Sequence, residues 1–447
     1  MTLQVTGRAV RRGDAAYEAA RRALKWDAGV PDRYPEVIVH AAAADEVPAA
    51  LGLARREGLH VTVRSGGHAW GGNSIRDGVL VLDVSELNAT VIDRDALTAS
   101  AQPGVQGAHL DEALRQQGLY FPVGHCTGVC LGGYLLQGGI GWNGKQYGPA
   151  CGHVTGLEVV TADGQARLVD DSHDPDLFWA SKGSGPGFFA VVTRFHLRVY
   201  PRSKVTMSSG YLYPAECFDD VYGFAHEIGP KTPAEINLIY YRDARVRADG
   251  PIIGLQATAF AVTEEEARDQ LAVYESSPAR DKVIVTRLHE LTDTTVLTRQ
   301  GTDSHCFPTG RYLADNMWTS APFQSLKPGI KDILSRLPAP PSHMVWISWG
   351  YENGPKRPPM PFSEDDFYYA LYGACDGPAG DNAIREWATE GMRSMEPFAT
   401  GMALGDENTQ NRPPGGRVRV TKDTDSFRRL GEVRSAYDPD GLFFAPW

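Results

Sequence analysis

The feature that most restricts the fold of this 447-residue chain is a glycine-rich run between residues 124 and 141. Seven of its eighteen residues are glycine, and Leu, Val and Ile stand between them. Because glycine has no Cβ, such a run lets the backbone pack very close to something flat or charged. The alternative interpretation is a tightly packed helix and turn that binds nothing.

A second glycine cluster lies nearly sixty residues earlier, where Arg-Ser-Gly-Gly-His occupies positions 64–68. It directly follows a short strand predicted over 60–63. Consecutive backbone N–H groups in a glycine turn form a concavity that binds phosphate oxygens, and Arg64 could add positive charge. An ordinary turn that needs glycine for positive φ explains the segment equally well. His68 alone decides nothing, since most isolated histidines are surface or core residues.

Two nucleotide-binding motifs match part of the glycine run but lack the structural context that they require. Residues 139–144 fit G-x-G-x-x-G, yet no clear strand precedes them and no acidic residue follows at the required distance. The same stretch through Lys145 fits a P-loop, except that Gln146 replaces the Ser or Thr that binds Mg²⁺. We therefore reject a Rossmann site and nucleotide hydrolysis.

The amino-acid composition limits the classes of partner that the chain could bind. A net charge of −11 without a run of Lys or Arg gives no footprint for nucleic acid. The first twenty residues lack the apolar stretch of a signal peptide, and no segment approaches the roughly 20 apolar residues that span a bilayer. Six cysteines are too few for a disulfide scaffold and lack zinc-ligand spacing. We expect a cytoplasmic protein with no nucleic-acid or membrane partner and no metal.

Periodicity predicts an α+β protein with more than one core. Aromatic-rich strands after Pro201 replace the glycine motifs of the first half. The predicted helices span 44–57, 107–118, 264–275 and 427–440. The predicted strands span 60–63, 79–84, 188–200, 211–213, 236–241 and 252–261, with a hairpin of 157–161 and 166–169 around Asp163-Gly164.

The two clusters, their order and their separation resemble the berberine bridge enzyme-like flavoproteins, within the superfamily of p-cresol methylhydroxylase (PCMH) and vanillyl-alcohol oxidase. The resemblance runs from Pro35 to about Tyr200 and resumes in the tail at 430–443. It implies an α+β, two-domain flavoprotein. A PCMH-type FAD-binding domain would span 1–205, an antiparallel-sheet substrate domain 206–400, and a C-terminal segment, 401–447, would return to the first domain.

The resemblance also implies FAD and its contacts. In such proteins the histidine of the first loop bonds the flavin 8α-methyl group, which corresponds to His68. Some members also attach the flavin C6 to a cysteine, which corresponds to Cys126, although a buried free thiol is the alternative. Cys130 falls where the family usually has glycine, and we interpret it as packing. The other expected cofactor contacts are Arg64, Ser65, Gly66, Gly67, Gly104, Val129, Gly132, Gly133, Tyr134, Gly138, Gly139, Gly141 and Val192.

The implied reaction is hydride transfer from a small organic substrate to flavin N5, followed by reoxidation by O₂ to give H₂O₂. The substrate would be an alcohol, an amine or a sugar-like compound of specialised metabolism, and the enzyme a monomer or homodimer. Val129 occupies a position at which a small aliphatic residue, in relatives, leaves oxygen access to the flavin. Alternatives are a flavin-dependent cyclase or oxygenating enzyme of natural-product biosynthesis, and a redox-inactive flavin-fold binding protein.

Because the sequence departs from the family pattern at several positions, the resemblance does not identify the catalytic base. Tyr134 stands where relatives commonly have histidine, and residues 182–190 differ from the usual glycine-rich segment, which affects expected contacts to the adenosine half. Residues 401–408 contain no tyrosine, although many relatives place a catalytic tyrosine on that strand. Another residue would have to replace that tyrosine as the base, and each of the following candidates has the alternative role of a side chain that only packs in a cavity wall. The candidate bases are Tyr351 and Glu352, after the aromatic strand 345–349, then Asp406, Tyr240 and Tyr147.

Overall fold

The computed structural model describes residues 8–305, 307–356, 358–361, 364–405 and 424–445, and within them it has an α+β fold. The strands are β1 (Ala9–Arg11), β2 (Val37–His40), β3 (His60–Arg64), β4 (Val79–Asp83), β5 (Thr90–Asp93), β6 (Thr98–Ala101), β7 (Leu119–Tyr120), β8 (Val154–Thr161), β9 (Ala166–Val169), β10 (Ala190–Arg198), β11 (Tyr200–Pro201), β12 (Val205–Pro214), β13 (Glu235–Tyr241), β14 (Ile252–Ala261), β15 (Val285–Thr292), β16 (Arg311–Thr319), β17 (His343–Ser348) and β18 (Phe367–Cys375). The helices are α1 (Tyr17–Ala23), α2 (Val47–Glu57), α3 (Gly107–Arg115), α4 (Leu131–Leu136), α5 (Gly144–Tyr147), α6 (Pro175–Ser181), α7 (Phe218–Ile228), α8 (Glu264–Ala272), α9 (Thr294–His305), α10 (Phe323–Ser335), α11 (Asp381–Ser394) and α12 (Thr424–Tyr437).

The first half of the chain contains two main sheets. One has the order β1-β2-β4-β3, in which β4 pairs in parallel with both β2 and β3, and the other has the antiparallel order β5-β6-β10-β8-β9. Every residue of β4 is buried, because the strand is central and both of its faces are covered. The hairpin predicted around Asp163-Gly164 is confirmed as β8 and β9. Helix α2 ends at Gly58, whose φ of 66° is the left-handed conformation that glycine adopts without strain.

The second half forms one antiparallel sheet with the order β15-β12-β14-β13-β17-β18-β16. Helices α7, α8, α10 and α11 cover one face and share a hydrophobic core with it. Since side chains alternate along a strand, β18 divides its residues between the two faces. Phe367, Tyr369 and Leu371 enter this helix-covered core, whereas Tyr368 and Tyr372 pack on the opposite face. That opposite face is turned towards the first half of the chain.

The end of the chain packs on the first core, where Leu430 and Val433 of α12 are buried. The Val61 N–H donates to Leu442 O at 2.8 Å, and the Phe444 N–H donates to Val61 O at 2.9 Å. These contacts hold the tail against the first half of the chain, and the division into domains stays a prediction. No helix in the described ranges is both long and apolar enough to cross a membrane.

Candidate functional site

A cleft lies between the first core and the face of the seven-stranded sheet that the helices leave uncovered. It contains about 1790 Å³ of space outside protein atoms, part of it open to solvent. Side chains of β17 and β18 form one wall, and the two glycine clusters form the other. The sequence-predicted cofactor residues that border it are Arg64, Ser65, Gly66, Gly67, His68, Cys126, Val129, Gly132, Gly133, Tyr134, Gly139 and Val192.

His68 stands half-buried at the edge of this cleft. Its imidazole stacks on the Trp26 indole, with ring centroids 4.8 Å apart and planes 1° from parallel. Its Nε2 edge faces Gly128, where an added Cβ would lie only 3.0 Å away. Burial first, then the positive charges of Lys25 and Arg64, lower the pKa of His68 to about 4. The imidazole is therefore neutral at pH 7.

Cys126 borders the same cleft and packs against an aromatic cluster that contains Trp26 and Trp70. Cys130, four residues later, has a different environment. Its thiol donates to Gly104 O at 3.3 Å, and a Cβ added at Gly66 would lie 2.9 Å from its Sγ. Burial raises the pKa of Cys130 to about 11. Cys130 thus packs between the two glycine clusters as a protonated thiol.

The two glycine clusters contact each other directly. Ser65 Oγ accepts a hydrogen bond from the Gly133 N–H at 3.3 Å, and a Cβ on Gly132 would lie 2.7 Å from the same oxygen. Gly67 has a φ of 66°, and a Cβ there would overlap Leu24 O. Tight packing, the alternative interpretation of the glycine run, therefore accounts for part of its composition. The same close packing leaves bare backbone along the cleft.

Arg64 differs from the sequence expectation of a free positive charge for phosphate. Its guanidinium bonds both oxygens of Asp83, at 3.2 and 3.4 Å, and donates to three backbone carbonyls. The reason is the strand register: β3 pairs with β4 in parallel, which sets Arg64 directly opposite Asp83. The charge of Arg64 is largely neutralised within the protein.

Three predicted cofactor contacts, Gly104, Gly138 and Gly141, do not border the cleft. A Cβ on Gly104 would overlap Ser85 O, so this position needs glycine for backbone packing. Gly138 has a φ of 106°, and a Cβ there would meet Glu364 Oε1 at 2.9 Å. These positions require glycine because of the surrounding protein.

Tyr134 both borders the cleft and supports its floor. Its ring fills space that glycine leaves at positions 124 and 141, where an added Cβ would lie 3.1 Å from Cε2 and 2.6 Å from the hydroxyl oxygen. The hydroxyl donates to Pro122 O at 2.8 Å, and burial raises the pKa of Tyr134 well above 10. Tyr134 is a neutral hydrogen-bond donor that is already engaged.

The candidate bases proposed from sequence lie away from this cleft or outside the described residues. Tyr240 enters the helix-covered core, and Tyr147 packs on Tyr200 with ring centroids 4.7 Å apart. Strand β17 ends before the chain reaches positions 351 and 352, and both residues lie beyond the cleft wall. The Glu352 side chain is exposed to solvent. Asp406 is outside the described residues.

Ile347, Tyr368 and Tyr372 of the sheet line the cleft instead, and sequence reasoning missed the two tyrosines. Tyr372 is half-buried, stacks on His343 with centroids 5.0 Å apart, and lies 4.9 Å from the Trp70 ring. Tyr368 is only 2 % exposed. The signal that could have revealed them is the alternation in Phe-Tyr-Tyr-Ala-Leu-Tyr at 367–372, which presents aromatic side chains on both faces of a strand.

Other described residues that border the cleft also lacked a sequence prediction. They come from a strand before the first glycine turn, from the loops near positions 73, 137 and 185, and from the tail. Asn73 Nδ2 donates to Leu404 O at 3.2 Å, which ties the connection after the second core to the first half of the chain. These residues include Asn73, Gln137, Gly185, Pro186, Phe188, Phe443 and Phe444.

Electrostatically the described wall of the cleft is nearly neutral. Arg64 is its one permanently charged residue, and it is paired with Asp83. Burial lowers the pKa of His125 to about 4, so this histidine is also neutral at pH 7. A ligand bound here meets apolar and aromatic side chains together with backbone groups of the glycine clusters. This combination is typical of a small-molecule or cofactor site.

Known proteins share this fold. Residues 35–169 match a family described as FAD binding domain. The FAD-linked oxidoreductase nodO of Hypoxylon pulicicidum is 31 % identical over 410 residues, which cover 89 % of this chain and 88 % of nodO. Among solved structures, 6-hydroxy-D-nicotine oxidase from Arthrobacter nicotinovorans has a TM-score of 0.82 at 20 % identity and covers 99 % of this chain and 98 % of its own. BBE-like 1 of Physcomitrella patens has a TM-score of 0.84 at 18 % identity and covers 100 % and 97 %.

The fold is that of the two-domain PCMH-type flavoproteins, as the sequence predicted. The chain belongs to the FAD-linked oxidoreductases, and its fold is shared with a berberine bridge enzyme-like protein of known structure. The cleft fits FAD, because it offers an apolar wall to a flat ring and bare glycine backbone to a pyrophosphate. At Gly133, for example, an added Cβ would meet only Gln137, at 3.7 Å.

Proposed function

We propose that this FAD-dependent enzyme is an oxidase that holds its cofactor covalently through His68 and Cys126 and oxidises an uncharged, largely apolar alcohol or amine. The observation that carries the proposal is that these two nucleophilic side chains, nearly sixty residues apart in the sequence, border one cleft. FAD, when bound there, accepts two electrons from the substrate as a hydride at the flavin N5 and passes them to O₂, which gives H₂O₂.

The state of His68 supports its proposed role as an attachment point. A nucleophilic imidazole must be neutral, and the lowered pKa of His68, about 4, keeps it so across the physiological range. Cys126 lies on the same cleft, whereas the neighbouring Cys130 is held against Gly104 O. Both cysteines border the cleft, but Cys130 is a protonated thiol that is engaged with Gly104 O, so we assign the attachment to Cys126.

The substrate class follows from the sheet wall of the cleft. Ile347 contributes apolar surface, and Tyr368 and Tyr372 contribute rings with one hydroxyl each; Ile140 and Ala403, from outside the sheet, pack beside them and add further apolar surface. A sugar would leave most of its hydroxyl groups without partners against this wall, at a cost of about 1–3 kcal/mol for each one buried. The wall therefore favours an apolar body that carries a single oxidisable hydroxyl or amine group.

We propose that Tyr372 binds the hydroxyl or amine of the substrate and, in its ionised phenolate form, accepts its proton. It is half-buried on the cleft wall, and its stacking on His343 and its tilted contact with Trp70 restrict its ring. Tyr372→Phe is expected to lower kcat/KM by about 10²–10⁴-fold, the usual contribution of general acid–base catalysis, with FAD still bound. Tyr240→Phe is the matched control, because Tyr240 lies in the helix-covered core. Equal losses in both variants would contradict this role.

The covalent attachment is tested by denaturing the purified protein in acid and measuring the flavin that stays with the precipitate. His68→Ala and Cys126→Ala should each retain flavin through the remaining bond, and the double variant should release all of it. Cys130→Ala is the control, because this thiol packs between the glycine clusters and its loss should leave both bonds intact. Complete release from the parent protein would overturn the covalent proposal.

The oxidase activity is tested separately by measuring peroxide release with a panel of apolar alcohols and amines, with sugars as the contrasting set. We expect turnover in the first set. Rapid bleaching of the flavin by a substrate without release of peroxide in air would show that another acceptor replaces O₂.

A further inference from the structure

Trp26 packs behind His68, on the side away from the cleft. The two rings are parallel within 1°, and their centroids are 4.8 Å apart. His68 borders the cleft, whereas Trp26 is not among the residues that line it. The indole therefore contacts the face of the imidazole without occupying space that a cofactor would use.

The segment that carries Trp26 is fastened to the first glycine cluster. The Trp26 N–H donates to Gly67 O at 3.2 Å, and Arg64 Nη2 donates to Ala23 O at 3.1 Å. On either side of Trp26, Lys25 and Asp27 form an ion pair whose side chains are 1 % and 0 % exposed. Such a pair holds its backbone in one place, because its separation would strand a buried charge. The position of the indole is thus set by the protein.

The Trp26 indole contacts His68 through its flat face and not through its N–H group. Among the described residues, its buried Nε1 has no hydrogen-bond acceptor. The Nε2 edge of the imidazole meets the bare backbone of Gly128. The imidazole is therefore held by an aromatic ring on one face and by a glycine at its Nε2 edge.

We propose that Trp26 is a positioning residue that holds the His68 imidazole in the orientation required for its bond to the flavin. This inference rests on the proposed attachment of FAD at His68. Trp26 acts through His68 and does not touch the cofactor.

The attachment is an oxidation. One C–H bond of the flavin 8α-methyl group and the N–H bond of the neutral imidazole break, and one C–N bond forms between that carbon and a ring nitrogen. The two electrons and two protons that are released reduce O₂ to H₂O₂, so that the flavin ends in its oxidised form. The rate depends on how often the nitrogen lone pair points at the methyl carbon. Stacking on Trp26 restricts rotation of the ring and so raises that fraction.

Trp26→Met tests the proposal, because methionine fills much of the same volume without offering a flat face. The variant is made in a Cys126→Ala background, in which His68 is the only proposed attachment point. The readouts are the flavin retained by the acid precipitate and the mass of the proteolytic peptide that contains His68. Circular dichroism and retention of non-covalent FAD on a gel-filtration column establish that each variant is folded.

We expect the Cys126→Ala protein to retain its flavin and the Trp26→Met/Cys126→Ala protein to lose most of it in acid. Trp26→Phe in the same background restores a flat face and should recover the attachment. Trp179→Met is the matched control, since Trp179 is buried in the first core away from the cleft and should leave the attachment unchanged.

Full attachment in Trp26→Met/Cys126→Ala at the parental rate would overturn the inference while leaving the proposed function intact. Complete release of flavin from Cys126→Ala alone would overturn both, because His68 would then not be bonded. Loss of attachment in Trp179→Met to the same extent would also overturn the inference, since general destabilisation would then explain the effect.

Discussion

Replacement of Arg64 by methionine is expected to destabilise the protein even when no cofactor is bound. The guanidinium bonds the carboxylate of Asp83 and the backbone carbonyls of Ala23, Leu24 and Gly66. Methionine keeps an apolar stem of similar length but removes all of these donors. The variant therefore leaves a buried carboxylate with fewer partners and unties the first glycine cluster from the segment before it.

The magnitude follows from the environment of Asp83, whose side chain is 6 % exposed. Burial opposes its ionisation, but the hydrogen bond from His40, the charge of Arg64 and the bonds from Ser85 outweigh it and lower the pKa of Asp83 from 3.8 to about 2. The shift corresponds to roughly 2 kcal/mol of stability, of which Arg64 supplies part. The hydrogen bonds from Arg64 to backbone carbonyls, at 3.1 to 3.4 Å, each contribute at most about 1 kcal/mol more. We expect a loss of about 3 kcal/mol at pH 7.

The pH dependence has a defined sign. Because the folded-state pKa of Asp83 lies below the value of 3.8 in the unfolded chain, its stabilisation is complete above about pH 4. It is lost as the pH falls through about 2. The difference in stability between the parent and Arg64→Met should therefore shrink over this acidic interval.

Urea unfolding followed by circular dichroism measures this loss in a His68→Ala/Cys126→Ala background from which FAD has been removed. Adding Asp83→Asn to Arg64→Met should recover part of the stability, because no unpaired buried charge is left. If the cofactor-free stability were unchanged and only the FAD affinity fell, Arg64 would act on the pyrophosphate. That result would refute the reasoning from the ion pair.

Three further predictions concern other parts of the structure. Burial raises the pKa of Glu235 from 4.5 to about 8, so the stability of the protein should fall as the pH rises across that interval. Glu235→Gln keeps an acceptor for the Gly144 N–H and should make the melting temperature less dependent on pH between pH 6 and 9. In urea unfolding, Gly144→Ala should cost at least about 1–3 kcal/mol because its Cβ would overlap the Trp349 ring, whereas Gly431→Ala, at an open helical position, should stabilise by up to about 1 kcal/mol. Val129→Phe should slow reoxidation of the flavin by O₂ in stopped-flow mixing and leave its anaerobic reduction by substrate unchanged.

Local sequence pattern predicted the individual elements of the fold well. The strand predicted over 252–261 has these bounds in β14, and the helix predicted over 44–57 contains α2. Alternation and amphipathic spacing are properties of a few neighbouring residues, so they are visible in the sequence. The order of the second sheet is not, because it places β16 beside β18 and β17 beside β13. Such pairings depend on packing between segments that are distant in the chain.

The two walls of the candidate site differ in how much of them could be predicted from the sequence. The glycine clusters that form one wall are continuous in sequence, and most of the expected residues border the cleft, including His68 and Cys126. The partner of Arg64 was not predictable, because it depends on the parallel register that sets Asp83 opposite it. Trp26 was missed for a similar reason, since an isolated tryptophan near the N-terminus belongs to no periodic pattern.

The tyrosines on the sheet wall explain why the position of the base could not be inferred from strand ends alone. A candidate such as Tyr240 lies on a strand of the correct sheet, but its side chain enters the face that the helices cover. Tyr372 lies on the other face. Because the glycine clusters form one wall of the cleft and β17 and β18 form the opposite wall, substitutions at the cleft-facing positions of these strands change one wall while leaving the other in place. Selection for a new substrate can therefore act on alternate residues of two strands without changing the wall that the glycine clusters form.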